Sequence, residues 1–210
     1  MDPLVAATDA VRFIHILAVS IGLGAAFMAE FIALSRIHSR IDDAIIERME
    51  TCHKLIWAAL IAMWISGIAM IYIRTGFDIA SFSPKLFVKL GIVSVLTANA
   101  VMIGAIAMPL LRGARGKIVL QLPLVRLLTM AILGAISTAS WMLALALGIS
   151  KVLAKGDWPM FEHIVPFVYL GATLGAAAMM VMLRLRLAAM VKASPPEPEP
   201  EPVRAAPMLA

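Results

Sequence analysis

Charged residues are scarce in this chain. Asp, Glu, Lys and Arg make up 15% of it, whereas 62% of the residues are hydrophobic and the mean hydropathy is +0.95. Soluble domains are about 25% charged and about 45–50% apolar. The composition therefore argues against a water-soluble fold, and the net charge of +5 bears on membrane orientation rather than on nucleic acid.

Cysteine is nearly absent, and so are the common catalytic signatures. The single cysteine, Cys52, excludes an intramolecular disulfide and a C-x-x-C site for a metal or a c-type haem. No two histidines lie four residues apart, so no metal motif sits on one helix. Hydrolase, kinase and nucleotide-binding signatures are missing, and Gly22-x-Gly24 lies inside an apolar run, where it is expected to serve helix packing.

Long apolar runs are what the chain does contain. Five of them reach the rough threshold of about 18 residues for a membrane span. They are Phe13–Ser35, which carries His15 and Glu30, and the uncharged runs Leu55–Ile73, Leu90–Leu111, Leu127–Ser150 and Ile164–Leu183. The sequence predicts an all-α polytopic membrane helix bundle with five transmembrane helices, forming one domain over residues 1–192.

The basic residues indicate an orientation for this bundle. Eleven lysines and arginines flank the runs on the side where the first run ends, against five on the side where it begins. Lys and Arg collect on the cytoplasmic side, so we expect the N-terminus outside and the C-terminus in the cytoplasm of a bacterial inner membrane. The last stretch, residues 193–210, alternates Pro and Glu, which predicts a disordered cytoplasmic tail.

The first run is expected to be the helix around which the others pack. On a helix, His15 shares one face with small residues that let neighbouring helices approach closely, among them Ala18, Gly22 and Ala26. An ionisable group inside a span is a candidate functional residue, which favours a His15 that faces the bundle interior. The alternative is a packing seam in which His15 only bonds a backbone carbonyl.

Three ionisable residues from different helices are expected at a similar depth. His15, Lys89 and His163 all fall in the outer leaflet or at its edge, and Trp141 lies somewhat deeper. If they converge, they form a polar pocket with an imidazole for haem iron and a lysine for a haem propionate. Alternatively, His15 and His163 could bind copper, which also accepts methionine sulfur.

Parts of the first four spans resemble a small haem-binding membrane family that includes HemJ-type protoporphyrinogen oxidase and CopD-like copper-resistance proteins. The similar stretches are FIHILAVSIGLGAAF, ERMETCHKLIWAALIAMWISGIA and KLFVKLGIVSVL. The resemblance implies that His15 and Lys89 are the functional pair. The chain departs from the family in three places. After the histidine it has GLGAAFMAEFIALSR in place of the family's tryptophan-glycine and leucine-proline-arginine signature. It has Asn99 near the position of a later family histidine, and it has a fifth span.

The sequence thus predicts an integral membrane protein that binds b-type haem and acts in electron transfer or as a subunit of a membrane redox assembly. His15 would be the axial ligand, with Lys89 and His163 as partner or second ligand. It is expected not to be a stand-alone enzyme; if it is one, a haem-linked oxidoreductase is expected. Two alternatives stay open: a cofactor-free accessory or scaffold subunit of a larger complex, and a copper or small-solute transporter. The bilayer and other membrane subunits are the expected partners, and nucleic acid is not.

Overall fold

Five long helices make up most of the structure, a computed structural model that describes residues 3–193. They are α1 (Pro3–Ser35), α2 (Asp43–Thr75), α3 (Pro84–Arg112), α4 (Leu124–Ile149) and α5 (Trp158–Ala193). All five are long and apolar enough to cross a membrane, which confirms the predicted multi-pass helical architecture. The predicted tail, residues 193–210, lies outside the described residues except for Ala193, which ends α5.

Capping residues set several helix ends. Asp42 precedes α2 and accepts a hydrogen bond from the backbone N–H of Ile45 at 2.8 Å, the usual role of an N-cap aspartate. Gly76 ends the same helix in a left-handed conformation with φ 58°, which glycine adopts without a steric penalty. Ser83 and Pro84 begin α3, where the fixed φ of proline suits the first turn.

Helix α3 contains one wide turn before it ends. Pro109 has no N–H to donate to the carbonyl four residues earlier, and the turn Ile103–Ala107 adopts π-helical geometry just before it. Gly104 in this turn faces His53 of α2, whose Nε2 would lie 3.0 Å from a Cβ at this position. The sequence therefore bends α3 without ending it, and the helix continues to Arg112.

The central helix is α4, so the prediction that the others pack around α1 is wrong. Helix α4 contacts α1, α3 and α5, whereas α1 packs mainly on α2 and to a lesser extent on α4. Helix α4 is also the most buried of the five spans. Its hydroxyl groups bond across the interface: Ser140 donates to the carbonyl of Ile136 at 2.7 Å and accepts from the hydroxyl of Tyr169 at 2.8 Å.

Trp141 of α4 occupies a notch in α1. It is fully buried, and its six-membered ring lies where a Cβ at Gly22 would be. Only glycine at position 22 leaves room for the indole, because protein interiors have few voids that could absorb an extra methyl group. The alanine-rich face of α1 was predicted as an interior face, and Ala18 and Ala26 are indeed buried around this ring.

The helices do not pack evenly at the two ends of the bundle. Helices α1 and α2 are in contact over most of their length, whereas α2 and α3 make few close approaches. At the end that holds the start of α1, here called the N-terminal end, a cavity lies between α2 and α3. At the opposite end the loops after α1 and α3 are joined, since the N–H of Ile41 donates to the carbonyl of Lys117 at 3.0 Å and the N–H of Gly116 donates to that of Ile41 at 2.8 Å.

A substitution of Gly22 by alanine should destabilise the bundle. The added methyl group overlaps the ring of Trp141 in a packed core, and such overpacking costs about 1–3 kcal/mol. Gly24 is the matched control because no atom lies within 4 Å of a Cβ built there. Gly24→Ala should be neutral or stabilising by up to about 1 kcal/mol. Thermal unfolding of the two variants in detergent measures the difference, and equal midpoints would contradict this packing.

Candidate functional site

A cavity of about 670 Å³ opens at the N-terminal end of the bundle. The first half of α1, the last third of α2, the first third of α3 and the end of α4 line it, with His15, Gly67, Lys89 and Gly148 among the lining residues. It lies where α2 and α3 stand apart. Ligand and cofactor sites measure about 300–1,000 Å³, so the volume suits a cofactor or an amphiphilic small molecule.

His15 is held in one tautomer by a short chain of hydrogen bonds. Its Nδ1 lies 2.9 Å from the hydroxyl oxygen of Ser66. That hydroxyl donates its single proton to the carbonyl of Ala62 at 2.6 Å. Nδ1 of His15 is therefore the donor to Ser66, and Nε2 keeps the free lone pair of the ring. Metal-ligating histidines are oriented by the same kind of second hydrogen bond.

Gly67 lies beside the imidazole of His15. A Cβ at position 67 would lie 3.5 Å from Cε1 of His15, which is ordinary van der Waals contact, so the ring packs against α2 at this residue. Ser66 supplies the hydrogen bond and Gly67 the packing surface, and the two are consecutive residues of α2. This close approach belongs to the tight α1–α2 pair.

Cations gather at this cavity. Arg74, Lys85 and Lys89 line it together with His15, and none of the lining residues within the described range 3–193 is an aspartate or glutamate. Lys89 lies close enough to His15, Lys85 and Arg74 for their positive charges to repel one another. The positive end of the α3 helix dipole lies at the same place, because α3 begins at Pro84. The electrostatics of the cavity therefore favour an anionic group.

Apolar side chains form the deeper wall. Met63, Trp64, Met70 and Val93 line the cavity. The indole N–H of Trp64 donates to the hydroxyl of Thr97 at 3.0 Å, so its polar atom is satisfied within the bundle and its ring is left as an apolar surface. A ligand that fits this cavity has an apolar body and an anionic edge.

The structure brings two of the four sequence-predicted site residues together. His15 and Lys89 line the same cavity, whereas His163 and Trp141 do not. His163 is exposed near the start of α5, and its Nδ1 lies 2.6 Å from the carbonyl of Pro159 on its own helix. Trp141 lies in the middle of the bundle, and its Nε1 is buried without a hydrogen-bond partner in the described part of the chain.

Sequence reasoning missed three members of the site. They are Ser66 of α2 beside His15, and Arg74 and Lys85 at the membrane edge. The sequence did contain a signal for each of them. If α1 and α2 are antiparallel, the Ser66–Gly67 pair falls at the same depth as His15. Arg74 and Lys85 lie at the membrane edge, closer to the surface than Lys89. Their convergence on one cavity depends on the gap between α2 and α3, which no local pattern encodes.

The positions of the histidine, cysteine and acidic side chains do not support the copper alternative. Within residues 3–193 no three His, Cys, Asp or Glu side chains lie close enough together to hold a metal ion. His15 is the single histidine among the residues that line the cavity. A metal bound there would need either methionine sulfur from Met63 or Met70, or a ligand set that the metal brings with it.

Comparison of the chain with protein-family models, with curated proteins and with solved structures finds no match. The resemblance to HemJ-type and CopD-like proteins therefore stays a prediction.

Replacing Ser66 with alanine should cost about 0.5–1.5 kcal/mol of stability, since His15 loses the hydrogen bond to its hydroxyl group. Ser20→Ala is the matched control. Ser20 is exposed and its hydroxyl donates only to the carbonyl of Ile16 on its own helix, at 2.9 Å, so its loss should change stability by less than about 0.5 kcal/mol. Thermal melts of both variants in detergent test the pair, and a Ser66→Ala protein as stable as Ser20→Ala would argue against the His15–Ser66 bond.

Proposed function

We propose that this integral membrane protein binds b-type haem in the cavity at the N-terminal end of the bundle, with His15 as the axial ligand. The observation that carries the proposal is the hydrogen-bond chain from His15 through Ser66 to the carbonyl of Ala62. Because Ser66 donates to Ala62, we assign the ring proton to Nδ1 of His15 and the lone pair to Nε2, which is the form in which a histidine ligates iron.

The rest of the cavity suits the other parts of a haem. Lys89, Lys85 and Arg74 supply cations for two propionate carboxylates, and Met63 and Trp64 supply apolar surface for the macrocycle. Charge-assisted hydrogen bonds from lysine and arginine to carboxylates are about twice as strong as neutral ones. Lys89 is thus best explained as a propionate partner that also sets the orientation of the ring.

Electron transfer is the activity that such a site would support. Haem supplies one-electron chemistry when it is bound. The chain itself would hold the haem through His15 and the cations Lys89, Lys85 and Arg74, and the apolar side chains of the cavity would keep water away from it. In the proposed N-out orientation, the cavity opens to the outer side of a bacterial inner membrane, where a redox partner or a further subunit of the assembly would dock.

Optical spectra of the detergent-purified protein, oxidised and reduced with dithionite, test the haem directly. The wild type, reconstituted with haem if needed, should show a Soret band and sharp α and β bands on reduction, and His15→Ala should lose them. His163→Ala is the matched control, because His163 is exposed and bonded to its own helix. It should keep the spectrum, and a His163→Ala variant without haem would reassign the second ligand to α5.

A protein that stays colourless after incubation with haem would overturn the proposal. The accessory-subunit alternative would then explain the fold, since helix packing is all that it requires. Copper found by elemental analysis in a colourless protein would favour the transporter alternative instead.

Lys89→Ala should weaken haem binding without removing the iron ligand. The loss of one charge-assisted contact, worth about 1.5–3 kcal/mol, corresponds to about tenfold to a hundredfold in the dissociation constant. Lys151→Ala is the control, because Lys151 is exposed at the same end of the bundle and does not line the cavity. Haem titrations of the two variants give the ratio, and equal affinities would show that Lys89 does not bind the propionates.

A further inference from the structure

Two polar side chains meet one turn of α4 from different sides, far from the His15 cavity. Glu30 of α1 places its Oε1 in the space that a Cβ at Gly134 would fill. Asn99 of α3 donates from Nδ2 to the carbonyl of Leu133 at 2.9 Å. Leu133 and Gly134 are consecutive residues, so Glu30 and Asn99 approach the same peptide of the central helix. Glu30 lies about 22 Å along α1 from His15, at about 1.5 Å per residue.

Both side chains have unsatisfied oxygen atoms. Asn99 is 3% exposed, and its Oδ1 is buried with no hydrogen-bond partner in the described residues. The bond from Nδ2 to the carbonyl of Leu133 fixes which way the amide points, because a carbonyl requires a donor. Glu30 forms neither a hydrogen bond nor an ion pair with any residue between 3 and 193. An ionised Glu30 would therefore bring an acceptor-only group to the turn of α4 where Oδ1 of Asn99 already lacks a donor.

No cation compensates Glu30 from the helices packed against α1, which are α2 and α4. The basic residues toward this end of those helices are Lys54 and Arg126, and neither forms an ion pair within the described part of the chain. The other titratable groups near this end of α2 have their own contacts: His53 accepts from Trp57 at 3.1 Å, and Cys52 is buried. The pairing of Glu30 with Lys54 or Arg126, which the sequence allows, is not formed.

We propose that Glu30 is a proton-binding site, in which the carboxyl group is held as a neutral acid and donates its O–H to Oδ1 of Asn99. A proton between the two oxygens satisfies both side chains at once, whereas an unpaired carboxylate inside a membrane bundle costs several kcal/mol. A metal cation fits less well, since hard cations take about six or more oxygen ligands and this niche offers two unpaired side chains. The site is independent of any haem at the other end of the bundle.

Gly134 has a defined part in this site. Because it has no side chain, the carboxyl group of Glu30 can lie against the backbone of α4, in reach of the turn that Asn99 also contacts. Gly134→Ala would push the flexible end of Glu30 away without altering either polar residue. That variant should disturb the acid while the fold persists, since the overlapping atom is the end of a long side chain.

Infrared spectroscopy of the full chain in detergent at pH 7 tests the proposal. Exposed aspartates and glutamates ionise near pH 4 and give no neutral-acid band at this pH. The wild type should show the C=O stretching band of a protonated carboxyl group, and Glu30→Gln should lack it. Gln keeps a donor for Asn99, so the unfolding midpoint of this variant should match the wild type.

Asn99→Leu gives the second comparison. It keeps the acid but removes its acceptor, so the band should persist at a higher frequency, as for a carboxyl group without a hydrogen bond. A wild-type spectrum with no neutral-acid band, or a band retained in Glu30→Gln, would overturn the proposal. So would loss of the band when sodium replaces a large organic cation in the buffer, since a metal ion would then occupy the niche. The wild-type spectrum and its response to sodium test whether Glu30 holds a proton even if a variant fails to fold.

Discussion

A polar side chain inside a membrane bundle must find its hydrogen-bond partner within the chain, because lipid offers none. Much of this structure follows from that constraint. Hydroxyl groups meet it mostly through their own helices, as Ser140 does, and then accept a second bond from a neighbour. Ser66 links His15 to the backbone of α2 in the same way. Two polar side-chain atoms within residues 3–193 are buried without a partner, Oδ1 of Asn99 and Nε1 of Trp141. The first lies on the turn of α4 that Glu30 also approaches, whereas the second is enclosed in the core.

Glycine determines how close the helices come, and thereby where the open places lie. Gly22 admits the ring of Trp141, Gly67 supports His15, and Gly134 admits the carboxyl group of Glu30. These contacts bind α1 to α2 and to α4, while the cavity lies between the last third of α2 and the first third of α3. The cations of the cavity face this space between α2 and α3.

The two sites differ in the charge they can accept. The His15 cavity collects cations and no carboxylate, so it suits an anionic edge on an apolar body. The Glu30 niche has a carboxyl group, an amide oxygen and no paired cation, so it suits a proton. They lie toward opposite ends of α1, and α4 borders both of them. The two proposals together would place a haem and a protonatable group in one small membrane domain.

The sequence by itself determined the five helices, because hydrophobic run length and the scarcity of charge decide membrane spans before any tertiary contact forms. It also drew attention to His15 and Lys89, which line one cavity, since an ionisable group inside or beside an apolar run is visible from the sequence alone. Only the tertiary structure decided that α4 is central, that Arg74 and Lys85 join the cavity, and that His163 and Trp141 lie outside it. The physical reason is that the depth of a residue in the membrane follows from its position along its helix. Which helices are in contact depends instead on long-range packing, such as the fit of Trp141 against Gly22.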